Sequence, residues 1–264
     1  MNSPAQIAKI YSDVGAAKTK MSFMKTLVLA IFAGAFIAFG GLCSSIASCG
    51  VTPGSLGRVI GAAVFPVGLM LVLCAGAELF TGNCLIALSV ADKKAKLTGM
   101  VRNLVIVYFG NLLGGLLVSY LAVFSHDINL FDGALVQQTV KTAVAKVNLP
   151  FYDAFLRGIL CNVLVALAVW VSFGADTYTG KILSSYLPVF IFVIGGFEHC
   201  VANMYFIPAG MMASYVYNID APSLTVFNFV VHNLIPVTLG NIAGGSVFVG
   251  LGYWYVFLKD TKND

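Results

Sequence analysis

The sequence predicts an all-α membrane protein of six transmembrane helices in two inverted three-helix repeats, with the second and fifth helices broken. Three observations carry this. Of the 264 residues, 59% are hydrophobic and only 10% charged, where a soluble domain carries about 25% charged residues. The apolar residues fall into six runs, two of them too long for one helix of about 20 residues and polar at their centres. A motif of the first half returns in the second.

The segment 1–22 is polar and too short to fold alone, so it reads as a cytoplasmic N-terminal segment. The first apolar run, about 24–49, exceeds a signal-peptide core and reads as a retained span. The second, about 59–91, is interrupted by GAELFTGN at 76–83. The third, about 103–125, carries Gly110-x-x-x-Gly114, a small-residue face suited to close packing within the chain. A fourth run covers about 155–174, and the fifth, about 185–217, is interrupted by GFEHCVAN at 196–203. The sixth, about 229–258, carries Gly240-x-x-x-Gly244 and leads to a cytoplasmic tail, 259–264. These runs make one transmembrane domain, 23–258, with repeats at about 23–126 and 150–258.

The two interruptions share Gly-x-Glu-x-x-x-small-Asn, which pairs Gly76 with Gly196, Glu78 with Glu198 and Asn83 with Asn203. Downstream, NLVIVYFGNLLGG from Asn103 matches NLIPVTLGNIAGG from Asn233. Three crossings per repeat is an odd number, so the second repeat enters the membrane from the opposite side. Such inverted repeats place the transport site near the midplane, where the broken helices meet. With the N-terminus inside, only Arg58, Lys141, Lys146 and Arg157 of the 15 Lys and Arg fall on the outer side, which puts both termini in the cytoplasm. The charge of +4 rests on scattered lysines and gives no sign of nucleic-acid binding. The six cysteines form no Cys-x-x-Cys pair and lie mostly in apolar runs, so neither a metal nor a cofactor is expected.

Unwound backbone inside a bilayer survives only where protein or a wet cavity surrounds it, so matched breaks mark a pathway. A helix restarting at about Asn83, and another at about Asn203, would aim free amides and a positive dipole end at the protein centre, a setting that attracts anions. His199 sits there, and an ionisable group inside a membrane is functional by default. Glu78 and Glu198 read as scaffolding carboxylates that accept backbone N–H groups in the unwound segments. Phe65, Leu69 and Phe192, on the helices before the breaks, stand within a few turns of the site, where apolar side chains serve either as ordinary core or as pore constrictions. No nucleophile or metal cluster accompanies Glu198 and His199, so the pattern speaks for transport and against an enzyme.

The motifs AELFTGN (77–83), GILCN (158–162) and GFEHCVANM (196–204) resemble the formate/nitrite transporter family of small-anion channels and proton-coupled carriers. The resemblance runs from the first span to the last. It implies a homopentamer in which each protomer has its own pore, in an aquaporin-like fold without an Asn-Pro-Ala motif; here Asn83 and Asn203 are followed by Cys84 and Met204. It also implies that His199 is the central pore histidine, with Thr81 its polar partner and Leu79 and Phe80 flanking that threonine. Phe65 and Leu69 then fall at the cytoplasmic-side constriction and Phe192 at the periplasmic-side one. Lys146 corresponds to a vestibule lysine and Asn162 to a pore-lining asparagine. The implied cargo is a small monovalent anion, formate first, with nitrite or hydrosulfide as alternatives, moved passively or with protons across the inner (cytoplasmic) membrane. Taking a bare carboxylate through a dry ring costs several kcal/mol after relaxation, on the order of 20 in the idealised limit. On this reading Lys146 concentrates anions and a proton relayed by His199 lets them cross as the neutral acid.

Overall fold

A computed structural model describes residues 1–259, and among these the regular structure is entirely helical. We number the helices α1 Pro4–Thr19, α2 Phe23–Ser48, α3 Gly54–Gly76, α4 Phe80–Ala91, α5 Leu97–Phe124, α6 Ala134–Val147, α7 Phe151–Ser172, α8 Tyr178–Ile194, α9 Cys200–Val216 and α10 Asn228–Phe257. Five of them, α2, α3, α5, α7 and α10, are long and apolar enough to cross a membrane.

The N-terminal segment is a helix because Ser3 caps it in a capping box with Gln6 and Pro4 occupies its first turn. It is docked as well as formed. The Tyr11 hydroxyl donates to the carbonyl of Gly82 at 3.0 Å, and the Ser12 hydroxyl to Asp92 Oδ2 at 2.6 Å, so α1 lies along α4.

The second and fifth apolar runs are interrupted where the sequence reading placed the breaks, and unequally. Gly76 ends α3 with φ +81°, after 23 residues, and the 12-residue α4 follows. Gly196, with φ +67°, separates α8 and α9, each of 17 residues. A left-handed residue after a helix is where glycine carries no side-chain penalty, so both glycines are stops. The restarts come earlier than expected, at Phe80 and Cys200, which places Asn83 and Asn203 in the first turn of the new helices.

The glycine motifs pack within the chain. A Cβ on Gly114 of α5 would overlap the Ile31 carbonyl of α2, and one on Gly244 of α10 would overlap the Ile159 carbonyl of α7. Helices α2 and α5, and helices α7 and α10, therefore approach each other closely, and α2 also packs against α3 while α7 packs against α8.

Candidate functional site at the two helix breaks

Each break is shaped by an asparagine of the repeated motif. Asn111 on α5 accepts from the Phe80 amide at 2.9 Å and donates to the carbonyls of Ala30 at 2.7 Å and Glu78 at 2.9 Å. Asn241 on α10 accepts from the Cys200 amide at 2.9 Å and donates to the carbonyls of Gly158 at 2.8 Å and Glu198 at 3.0 Å. Every polar atom of both side chains is used, which is how exposed backbone is kept inside an apolar interior.

The carboxylates have a different role from the one expected. Glu78 and Glu198 do not receive the loop amides. Glu78 accepts from Lys18 Nζ at 2.6 Å through one oxygen and from Asn83 Nδ2 at 2.7 Å through the other. Glu198 accepts from Lys146 Nζ at 2.9 Å and from Asn203 Nδ2 at 2.7 Å. Asn83 donates further to Asn103 Oδ1 at 2.8 Å, and Asn203 to Asn233 Oδ1 at 2.7 Å. Asn103 closes its ring on the Lys18 carbonyl at 3.2 Å, and Asn233 on the Lys146 carbonyl at 2.9 Å. Each carboxylate is thus a buried ion pair inside an amide ring, and side chains rather than backbone neutralise it.

The rings are not identical. Lys18 also donates to Asn83 Oδ1 at 3.0 Å, whereas Asn203 Oδ1 is buried without a hydrogen-bond partner. The sequence reading passed over Lys18, Asn103, Asn111, Asn233 and Asn241. The signal was present in the Asn-Leu-x-x-Val-x-x-Gly-Asn motif, which places an asparagine at the same two positions of both halves.

Between the breaks, Thr81 Oγ1 and His199 Nε2 meet at 2.9 Å, 118 residues apart in the chain. His199 also caps α9: its Nδ1 accepts from the Ala202 amide at 3.0 Å. A ring nitrogen that accepts carries no proton, so the neutral imidazole bears its proton on Nε2 and donates it to Thr81. At the observed starts of the two helices, the amides of Phe80, Cys200 and Ala202 are therefore already bonded within the protein.

Aromatic rings line one approach to this pair. Phe192 stacks on the His199 ring with centroids 5.8 Å apart, and Phe65 meets Phe192 edge-on at 5.6 Å. Phe65 therefore packs against Phe192, and together with Leu69 both rings also wall a small inner space. The physical reason is the crossing of α3 and α8, which brings the two rings to one level. On one side of this aromatic pair lies a chamber of about 130 Å³ bordered by Lys146, Glu198, Asn203 and Ser44. On the other is a space of about 10 Å³ walled by Leu69, Leu79, Ile37 and Val165, with His199 its one polar lining residue. That is about the least room a single water requires.

Asn162, expected to line the pathway, borders neither space. Its amide donates to the carbonyls of Thr81 at 3.2 Å and Asn241 at 2.6 Å, tying α7 to the first break and to α10, while its Oδ1 is buried without a partner.

An all-helical chain with several spanning helices, two of its apolar runs interrupted around a buried polar centre, is a multi-pass membrane transport protein in class. The chain belongs to the formate/nitrite transporter family, whose model matches residues 5–255. A probable formate transporter of Methanothermobacter thermautotrophicus is 42% identical over 98% of this chain and 98% of its own length. The formate channel FocA of Escherichia coli K12 is 37% identical over 98% of this chain and 96% of its own. Among solved structures, a pentameric formate channel with formate bound superposes with a TM-score of 0.82 at 36% identity, over 90% of this chain and 98% of that one. A second, described as an FNT family ion channel, gives 0.86 at 30% identity over 95% and 98%.

Proposed function

We propose that this protein carries formate across the cytoplasmic membrane, through a pathway in each protomer of a homopentamer with both termini in the cytoplasm. The hydrogen bond between Thr81 and His199, buried between the two breaks, carries the reading. The full-length similarity to formate channels and transporters supports the substrate, and the pentameric relative supports the assembly.

In this reading an anion gathers in the chamber beside Lys146, passes Phe65 and Phe192, meets the Nε2–H donor of His199, and leaves between Leu69 and Leu79. The small inner space has no room for formate at rest, so those side chains part during passage. A dry ring disfavours a bare carboxylate and favours the neutral acid, so formate is protonated on the way. A proton relay through the ring takes a proton in at Nδ1 and delivers the one on Nε2 to the carboxylate oxygen. The contact from the Ala202 amide therefore opens in each turnover.

Proteoliposomes carrying labelled formate and an internal pH dye test this. His199→Asn is expected to assemble normally and to lose the protein-dependent coupling of formate and proton movement. Wild-type flux with wild-type proton stoichiometry in that variant would refute the relay. Competition of labelled formate by nitrite and hydrosulfide in the same vesicles tests the choice of anion, and preference for either over formate would overturn it.

A further inference from the structure

A further side-chain hydrogen bond joins the two halves behind the Thr81–His199 pair. The hydroxyls of Tyr108 on α5 and Thr238 on α10 are 3.0 Å apart. Tyr108 lies three residues before Asn111, and Thr238 three before Asn241, so they hold the same position of the repeated motif and face each other across the junction. Each also stands against the first residue of a restarting helix. The Tyr108 ring meets Phe80 edge-on at 5.0 Å, and the Thr238 hydroxyl lies beside the Cys200 thiol. Phe80 immediately precedes Thr81, and Cys200 immediately follows His199. The amides of Phe80 and Cys200 are those held by Asn111 and Asn241.

The outer side of this contact is an apolar groove of about 380 Å³, walled by Met100, Leu104, Val105 and Ile242 besides the pair itself. In such surroundings a hydroxyl without a partner is costly, so the bond between the two is held. The bond therefore fixes both restarting helices from behind, while Thr81 and His199 meet in front.

We propose that Tyr108 and Thr238 are positioning residues, a clasp that sets the separation of Thr81 Oγ1 and His199 Nε2; the transport consequence rests on the reading of that pair as the polar centre of the pathway. Neither residue borders the chamber beside Lys146 or the space beside Leu69. They act through the first residues of α4 and α9.

The test uses the assembled protein in lipid bilayers with ¹⁵N-labelled histidine, followed by solid-state NMR, the His199 signals being assigned by their absence from His199→Asn. Thr238→Val keeps the volume and removes the hydroxyl, Thr238→Ser keeps the hydroxyl and removes a methyl, and Tyr108→Phe removes the partner. A clasp predicts that the Nε2 resonance shifts in Thr238→Val and Tyr108→Phe and returns to the parent position in Thr238→Ser. A packing role predicts the reverse order for the two Thr238 variants and would overturn the proposal, as would an unshifted Nε2 resonance in both Thr238→Val and Tyr108→Phe. The pH profile of formate flux is measured on the same preparations and is expected to shift with the resonance. A shifted resonance with an unchanged profile would uphold the clasp and remove the relay from the proposed function.

Discussion

At the scale of single residues, the proposed passage assigns selectivity to Phe65 and Phe192 and proton chemistry to His199. The two phenylalanines pack on each other and, like His199, border both the larger chamber and the small space, so in the proposed passage each ring closes part of the way. Phe192→Ala removes the ring that also stacks on His199. It is expected to raise the flux of acetate and lactate relative to formate in proteoliposomes, and unchanged flux ratios in a folded variant would sink the assignment. The imidazole is held by one contact at each nitrogen, which explains how a histidine can serve both as helix cap and as donor to Thr81.

At the scale of elements, the breaks are stabilised from neighbouring helices. A helix interrupted in an apolar interior leaves amides and carbonyls that cannot be satisfied within the element. Asn241 satisfies two of them from α10, the Cys200 amide and the Glu198 carbonyl, and Asn111 satisfies two from α5, the Phe80 amide and the Glu78 carbonyl. Each buried group left unpaired costs about 1–3 kcal/mol. Asn241→Ala is therefore expected to lower the thermal unfolding temperature of the detergent-solubilised protein strongly, and Asn111→Ala by a similar amount because it frees the same kinds of groups. An unfolding temperature equal to wild type in either variant would show that the loops hold without these side chains.

At the scale of the whole molecule, the two halves carry the same polar ring, Lys18–Glu78–Asn83–Asn103 and Lys146–Glu198–Asn203–Asn233. The match reaches upstream of the spans to α1 and α6, each of which contributes a lysine. A carboxylate 2.9 Å from Lys146 cancels much of that ammonium's field beyond a few ångströms, so the lysine acts first on its own ring and, in the proposed pathway, only as a weakened attractor of anions. Removing one partner of a buried pair costs about 3–5 kcal/mol because the other charge is left uncompensated. Lys146→Met is expected to destabilise the protein by about that much, and adding Glu198→Gln to recover most of the loss. Thermal unfolding of the single and double variants measures this; a double variant no more stable than the single one would deny the pairing its structural weight. Formate uptake by the double variant at low ionic strength then isolates the attraction of anions.

What the sequence determined by itself was the membrane class, the sites of the two breaks, the internal duplication and the family. Those are local properties: apolar length, a glycine and a polar cluster inside a long run, and motif spacing are all written along the chain. Tertiary structure alone decided which atoms meet. Glu78 was legible as scaffolding, but its partner Lys18 lies 60 residues away on a helix that composition left as a short polar segment. Phe65 and Leu69 are one helical turn apart and read as a unit, and only the crossing of α3 and α8 brings Phe192 against Phe65 beside them. Asn162 was expected from the resemblance to line the pore, while the direction of its amide depends on the rotation of α7 about its own axis. The bond between Tyr108 and Thr238 shows the same limit, since a repeated position becomes a contact only when the two halves are folded against each other.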